Sequence, residues 1–213
     1  MYIPKQYQET DPVVIAEFIK RNDFATVISV VDGLPVATHI PLELVEQDGQ
    51  QFLWGHFARA NKHWQSFDGS QQILVIFAGA HSYISPRWYT QPQVPTWNYM
   101  VVHVYGKPRL IHDGPALYAI VHRLTNLYEA HAATPPYTLE GLPPDLVEKQ
   151  LKGIVGFEIA VERMEAKFKM SQNRDAESYA HVIEALHATG DDIKQAVAAE
   201  MARRQDGLFG GEK

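Results

Sequence analysis

The sequence contains no cysteine. It therefore cannot form a disulfide, a thiolate nucleophile or a cysteine-ligated zinc site, which fits a reducing compartment. Long apolar runs are also missing, because the longest strongly apolar stretch, residues 73–80, is far shorter than the roughly 20 residues that span a bilayer. The N-terminus lacks the basic and apolar regions of a signal peptide. These absences predict a cytoplasmic protein with no membrane partner.

Basic charge is scarce as well. The chain has 19 Lys and Arg against 25 Asp and Glu, a net charge of −6, and no basic block longer than Arg203 and Arg204. Surfaces that bind DNA are usually basic, because they neutralise phosphates. Direct DNA binding is therefore doubtful.

Common catalytic motifs are absent too. There is no dinucleotide-binding Gly-x-Gly-x-x-Gly, no P-loop and no Gly-x-Ser-x-Gly elbow. The ten histidines include no His-Glu-x-x-His and no close pair at helical ligand spacing, so we predict no metal site. No general acid and base stand out, and the catalytic residues of any reaction remain unknown.

What is present is a series of short strands between turn signals. Asp32-Gly33 and Asp48-Gly49 are typical of hairpin turns, and the run at 72–80 is typical of a strand buried on both faces. The predicted strands span 24–31, 34–44, 50–57, 72–80, 99–111 and 155–162. Predicted helices begin at Asp11, Asn61, Asp113, Asp145, Asp175 and Asp191. This arrangement predicts an α+β fold, an antiparallel barrel with peripheral helices and a helical C-terminal tail.

Four clusters could carry chemistry, at 37–41, 55–61, 83–99 and 167–174. Arg59 and the backbone amides of a helix that starts at Asn61 are suitable hydrogen-bond donors for a phosphate. A planar ring needs flat partners and polar groups at its edge. The candidates are Trp88, Tyr89 and Trp97 for the first and Thr38, Ser85, Asn98 and Gln172 for the second.

Each cluster also has a simpler interpretation. Tryptophan and tyrosine in a barrel are most often core or interface anchors. Arg59 at a helix start can simply be solvated, and Lys167 and Lys169 alternate as they would on an exposed strand face. The residues by themselves indicate an antiparallel barrel with a polar and aromatic site.

The same clusters resemble a known family. The stretches MYIPKQY, ATHIPL, GHFARAN, VIFAGAHSYISPRWY, PTWNY, IVGFEI and KFKMSQNR follow one another over most of the chain. In this order they resemble the PaiB-type FMN-binding family of negative transcriptional regulators. The resemblance implies an FMN-binding split barrel of the pyridoxamine-phosphate oxidase-like type over residues 1–172, with a helical extension at 173–213. It also implies a homodimer with FMN at the subunit interface.

The resemblance further implies which residues hold FMN. Thr38 and His39 would line the flavin, and the group at 55–61 would hold its ribityl phosphate. The aromatic group would line the pocket, partly from the partner subunit, and the residues at 169–172 would close it. The implied contacts are Thr38, His39, Gly55, His56, Arg59, Asn61, Ser85, Trp88, Tyr89, Trp97, Asn98, Lys169, Ser171 and Gln172.

Two functions of different classes stay open. One is a flavin-dependent redox or sensor protein that acts on gene expression indirectly. The other is an enzyme, either a flavin reductase or an oxidase of a small metabolite, or a haem-handling relative of the same fold. A flavin can transfer electrons with little help from side chains, so the lack of an acid–base pair does not decide between them.

Overall fold

The computed structural model describes residues 1–130, 132 and 134–210. The strands are β1 (Gln8–Glu9), β2 (Phe24–Val31), β3 (Leu34–Pro41), β4 (Glu43–Gln47), β5 (Gln50–Ala58), β6 (Ile73–Ile84), β7 (Thr96–Ile111) and β8 (Ile154–Lys169). The helices are α1 (Pro12–Arg21), α2 (Gly114–Glu129), α3 (Pro144–Lys152), α4 (Ala176–His187) and α5 (Asp192–Phe209). Single 3₁₀ turns lie at Lys5–Tyr7, Lys62–Ser66, Pro86–Trp88 and Leu139–Gly141.

The strands form one sheet in the order β3-β2-β6-β7-β8-β5-β4, and β1 pairs with β8. Neighbouring strands are antiparallel, with Val27 opposite Thr38 between β2 and β3 and Gly55 opposite Phe157 between β5 and β8. Helices lie between and after these strands in the chain, so the α+β class is confirmed. None of the helices in the described part of the chain is long and apolar enough to cross a membrane.

The chain divides into two compact units. Unit one comprises residues 1–18, 78–102 and 165 onward, and unit two comprises residues 19–77 and 103–164. The long strands β6, β7 and β8 contribute residues to both units, and α4 and α5 belong to unit one. The division into 1–172 and 173–213 stays a prediction, and residues 211–213 lie outside the described residues.

The core of unit two follows the period-2 pattern of its strands. Phe57 of β5 contacts Phe157 of β8 at 4.8 Å between ring centroids, and Phe67 packs edge-on against both rings at 5.1 and 5.0 Å. All three side chains are buried. Such aromatic packing contributes beyond the apolar area removed from water.

In unit one the C-terminal helices start where their caps predict. Asp175 accepts the Ser178 amide at 2.8 Å and Asp191 accepts the Lys194 amide at 3.0 Å, which satisfies otherwise unpaired donors of the first turn. The buried Tyr179 hydroxyl of α4 donates to the Met201 carbonyl of α5 at 2.9 Å. The two predicted C-terminal helices are confirmed.

A buried carboxylate also ties α5 to the N-terminal segment. Glu200 accepts from Arg203 and from Arg204, and Arg204 reaches Glu9 at 3.1 Å. Hydrogen bonds from these arginines hold the Glu200 pKa below its usual value although burial acts in the opposite direction. Both arginines are therefore engaged in unit one.

Candidate functional site

Two of the predicted contact residues meet at a histidine of unit two. The Asn61 amide donates from Nδ2 to Thr38 Oγ1 at 3.1 Å, and its Oδ1 accepts the His63 amide at 3.1 Å. Thr38 Oγ1 also lies 2.8 Å from His63 Nδ1. Residues from the strand β3 and from the turn after β5 are thus joined through His63, whose side chain is only 4% exposed.

The network continues beyond His63, and only one assignment of donors and acceptors satisfies its hydrogen bonds as far as Nε2 of that residue. Ser66 donates to the His63 carbonyl at 2.8 Å, so its single hydroxyl proton is used and it accepts from Ser29 at 2.8 Å. Ser29 must then accept from His63 Nε2, which lies 2.8 Å away. Nε2 of His63 therefore carries a proton. Burial lowers the pKa of His63, which favours the neutral Nε2–H tautomer with Nδ1 accepting the Thr38 hydroxyl proton.

A cavity of about 410 Å³ adjoins this network. Its size lies in the range of small-molecule sites. The lining residues are Val30, Val31, Asp32, Val36, Lys62, His63, Gln65, Ser66 and Gln71. Valine side chains offer an apolar wall, amides and a hydroxyl offer edge contacts, and Lys62 offers a cation. The valines, the amides and Lys62 fit a planar ring that carries an anionic tail, provided that the tail lies away from the Asp32 carboxylate.

Burial lowers the pKa of His63 and also that of His56. In the folded protein both rings therefore hold fewer protons than in the unfolded chain once the pH falls below about 6.5. Stability rises with pH wherever the unfolded state binds more protons, so it is fully present above about pH 6.5 and lost on acidification.

We therefore expect the free energy of unfolding to fall between pH 7.5 and 5.5, by up to about 1.4 kcal/mol per pH unit for the buried His63. Urea denaturation at several pH values measures this slope. His63→Gln should reduce the slope to the part that His56 contributes, while the exposed His181→Gln should leave it unchanged. An equal slope in wild type and His63→Gln would contradict the assignment.

Two other predicted residues of unit two, Arg59 and His39, have structural partners. Arg59 donates from Nε to the Lys152 carbonyl and from Nη2 to the Ile154 carbonyl, both at 2.8 Å. These bonds fasten it to the connection between α3 and β8. His39 lies on the edge strand β3 with its Nδ1 3.0 Å from the Thr26 hydroxyl.

Gly55 and His56 occupy successive positions of β5. A Cβ at Gly55 would come 3.0 Å from the Phe157 ring and would also press on Leu42, so glycine there allows close packing. His56 points to the opposite face, because strand side chains alternate. Within the described residues its buried Nδ1 has no hydrogen-bond partner.

The remaining predicted residues belong to unit one. Ser85 caps a 3₁₀ turn by accepting the Arg87 amide at 3.3 Å, and Trp88 ends that turn half-buried. The Tyr89 ring lies 4.8 Å from the Arg174 guanidinium carbon. The Tyr89 hydroxyl is buried and finds no hydrogen-bond partner in the part of the chain described.

Trp97 and Asn98 are neighbours with opposite environments. Trp97 is 53% exposed and contacts the rings of His81 and Tyr83 at 6.2 and 6.1 Å. Asn98 is fully buried, accepts the Ser171 hydroxyl at 3.0 Å and donates to the Met201 sulfur at 3.4 Å.

The end of β8 holds the last three predicted contacts. Lys169 donates from Nζ to Thr96 Oγ1. Ser171 has a φ of 60°, in the left-handed region that non-glycine residues rarely adopt. Gln172 folds back over the turn, accepting the Met170 amide at 2.7 Å and donating to the Phe168 carbonyl at 2.6 Å.

Sequence reasoning missed His63, Ser29 and Ser66. One signal was available at Ser29, because its inward neighbours in the alternating strand, Ala25 and Val27, are apolar and buried. A hydroxyl at a core-facing position needs a buried partner. Nothing in the sequence, however, indicates that this partner is His63.

Comparison with known proteins shows the family of the chain. A family model described as "Putative FMN-binding domain" matches residues 1–163. The chain is 42% identical over 186 residues to the "Protease synthase and sporulation protein PAI 2" of Bacillus subtilis, covering 87% of this chain and 89% of that protein.

Solved structures show the same fold at low sequence identity. An FAD and heme binding protein from Mycobacterium smegmatis matches with a TM-score of 0.59 and 16% identity, over 76% of this chain and 73% of that one. The flavocytochrome Anf3 from Azotobacter vinelandii also has a TM-score of 0.59, with 13% identity over 84% and 78% of the two chains.

The fold and the family match define a flavin-binding protein of the split-barrel class, as predicted. The chain belongs to the PaiB-type FMN-binding domain family, and its cofactor is FMN.

Proposed function

We propose that this protein is a homodimeric, cytoplasmic, FMN-dependent redox or sensor protein that affects gene expression indirectly. The observation that supports it best is the network that joins Thr38 and Asn61 to His63, which lines the cavity of about 410 Å³. The absence of cysteine fits a reducing compartment.

The valines and Lys62 of the cavity, together with Arg59 and Thr38 from outside its lining, fit FMN by their chemistry. Lys62 and the spare donors of Arg59 would take the phosphate, since a guanidinium has five N–H groups and two of them are used here. The valine wall would face the ring, and the Thr38 hydroxyl, fixed by its two partners, would face the ring edge. Bound FMN supplies hydride and single-electron transfer. His63 would keep Thr38 oriented and exclude water behind it.

The test is reconstitution of flavin-free protein with FMN, followed by absorbance and by a fluorescence titration. We expect one FMN per chain, with flavin bands in the near-ultraviolet and the blue. Thr38→Val, which removes the hydrogen-bond partner of His63 Nδ1 and of Asn61 Nδ2, should weaken FMN binding about tenfold. The exposed Thr10→Val serves as a control. A Soret band without flavin bands would overturn the proposal in favour of haem.

The same preparation addresses the enzymatic alternative. If the FMN-loaded protein oxidises a reduced nicotinamide cofactor steadily in the presence of oxygen or free flavin, it is a flavin reductase or oxidase. A redox sensor would instead take up electrons once per flavin and stop.

The dimer is supported by an exposed aromatic patch in unit one, formed by His81, Tyr83 and Trp97. Tyr83 and Trp97 are 46% and 53% exposed, and Val94 nearby is 70% exposed. Exposed apolar patches of this kind commonly mark protein interfaces. A two-fold axis at this patch would bring Trp97 towards the partner subunit.

We expect size-exclusion chromatography with light scattering to give twice the 24.1 kDa chain mass. Trp97→Asp places a charge in the patch and should shift the protein to a monomer. Val13→Asp, at an exposed position of α1, should remain dimeric. A wild-type monomer that binds FMN would contradict the dimer.

Direct DNA binding is not part of the proposal. The basic pair at the C-terminus is engaged, since Arg203 and Arg204 both bind Glu200. Helices α4 and α5 instead expose acidic side chains. We expect no change in fluorescence anisotropy when the FMN-loaded protein is titrated, at physiological salt, with DNA from upstream of its own gene. Saturable submicromolar binding that weakens steeply with salt would show that the protein is a direct regulator.

A further inference from the structure

The end of β8 in unit one carries an unusual concentration of positive charge. Lys167 and Lys169 lie two residues apart on the strand, and so on the same face, and Arg174 follows after the turn at Ser171. Lys167 is only 9% exposed. The alternative that these lysines form an ordinary solvated strand face is therefore wrong for Lys167.

No carboxylate neutralises the three cations within the described residues. Lys167 donates to the Tyr2 carbonyl at 3.2 Å, and Lys169 donates to the Thr96 hydroxyl. Arg174 lies over the Tyr89 ring, and its Nε is buried with no hydrogen-bond partner in the described chain. Burying a charge without a counter-ion costs free energy.

The nearest acidic residues in the sequence are used elsewhere. Glu165 binds the N-terminal amine at 2.5 Å, and Glu9 binds Arg204 at 3.1 Å. Asp175 caps α4 through the Ser178 amide at 2.8 Å. These three carboxylates therefore bind other groups and not the three cations.

Aromatic rings complete the surroundings. The Lys167 ammonium lies 5.6 Å from the Tyr2 ring centroid and 5.3 Å from that of Tyr99, and the Lys169 ammonium lies 5.8 Å from that of Tyr7. Rings hold a cation in place by attraction to their faces, but they do not cancel its charge. Burial lowers the pKa of Lys169 most, Tyr99 acts in the opposite direction, and the charges of Lys167 and Arg174 lower it further.

We propose that Lys167, Lys169 and Arg174 form an anion-binding site for the phosphate or carboxylate group of a small molecule. Two lysines on one face of β8 and an arginine of the turn after it have no carboxylate partner in the described chain, and oxyanions accept hydrogen bonds from such charged donors more strongly than neutral groups do. Two kinds of molecule could supply this anionic group. One is FMN, through its phosphate, and the other is a separate substrate or effector with an acidic group. The site itself does not depend on the proposed flavin function.

Isothermal titration of flavin-free protein with inorganic phosphate tests the site. We expect saturable binding at one phosphate per chain, weakened about tenfold or more in Lys169→Gln. Lys169→Arg keeps the charge and should bind within a few fold of wild type. Lys107→Gln, an exposed lysine on β7, should bind as wild type does. Thermal unfolding of each variant confirms that it folds.

Absence of saturable binding in the wild type, or equal binding by Lys169→Gln, would overturn the proposal. Repeating the titration on FMN-loaded and riboflavin-loaded protein distinguishes the two sources. If the phosphate of FMN occupies the site, FMN prevents phosphate binding and riboflavin does not. If a separate anion occupies it, phosphate binds the FMN-loaded protein as well. A protein that binds phosphate but no flavin would refute the proposed function alone.

Discussion

Gly106→Ala is expected to lower the free energy of unfolding by about 3 kcal/mol or more. Gly106 lies in the middle of β7, where a Cβ would come 2.9 Å from Ile159 Cγ2 and would also collide with the Ala160 carbonyl of β8. A side-chain atom can rotate away, but a strand backbone in a buried sheet cannot shift without disturbing its own ladder. Urea denaturation followed by circular dichroism measures the loss.

The matched control for Gly106→Ala is Gly207→Ala in α5. No atom lies within 4 Å of a Cβ at Gly207, and alanine is favoured over glycine inside a helix. That variant should be stabilised, by up to about 1 kcal/mol. If the free energy of unfolding of Gly106→Ala lies within about 0.5 kcal/mol of the wild-type value, β7 and β8 do not approach each other as closely as described here.

Arg59→Ala is expected to weaken FMN binding ten- to hundredfold while leaving riboflavin binding unchanged. The reason is that a charged hydrogen bond to a phosphate contributes about 1.5–3 kcal/mol, and riboflavin has no phosphate. Flavin fluorescence titrations of both ligands against wild type and variant measure the difference. Arg21→Ala, at an exposed position of α1, is the control for removing one positive charge.

The anchoring contacts of Arg59 make the riboflavin comparison essential. Its two bonds to the carbonyls of Lys152 and Ile154 hold the connection between α3 and β8. If Arg59 acts only as that anchor, FMN and riboflavin will lose affinity by the same factor, and Lys62 becomes the phosphate cation. The ratio of the two affinities therefore separates phosphate recognition from structural support.

Local sequence patterns predicted most of the secondary structure. Asp32-Gly33 and Asp48-Gly49 both adopt positive φ at their two residues, at 52° and 79° and at 51° and 77°, as a type I′ hairpin turn requires. The strand predicted at 24–31 agrees with β2. These features are local because a two-residue turn and an alternating strand depend only on neighbouring residues.

Strand ends were less predictable. The predicted strand at 155–162 extends in β8 to Lys169, and the one at 72–80 extends in β6 to Ile84. Charged residues such as Glu165 and Lys167 interrupt the apolar alternation, so the sequence indicated an end there. In the structure the N-terminal amine binds Glu165, and Gln8 of β1 pairs opposite Lys167, so the strand continues.

The sequence by itself determined the turns, the caps of α4 and α5, the α+β class and the family resemblance that names FMN. The tertiary structure alone decided that His63 joins Thr38 to Ser29, that Arg59 is anchored by backbone carbonyls, and that Lys167 is buried among unneutralised cations. The physical reason is sequence separation. A period or a cap is set within a few residues, whereas a buried polar group takes its partner from whichever distant segment the fold brings within hydrogen-bond distance.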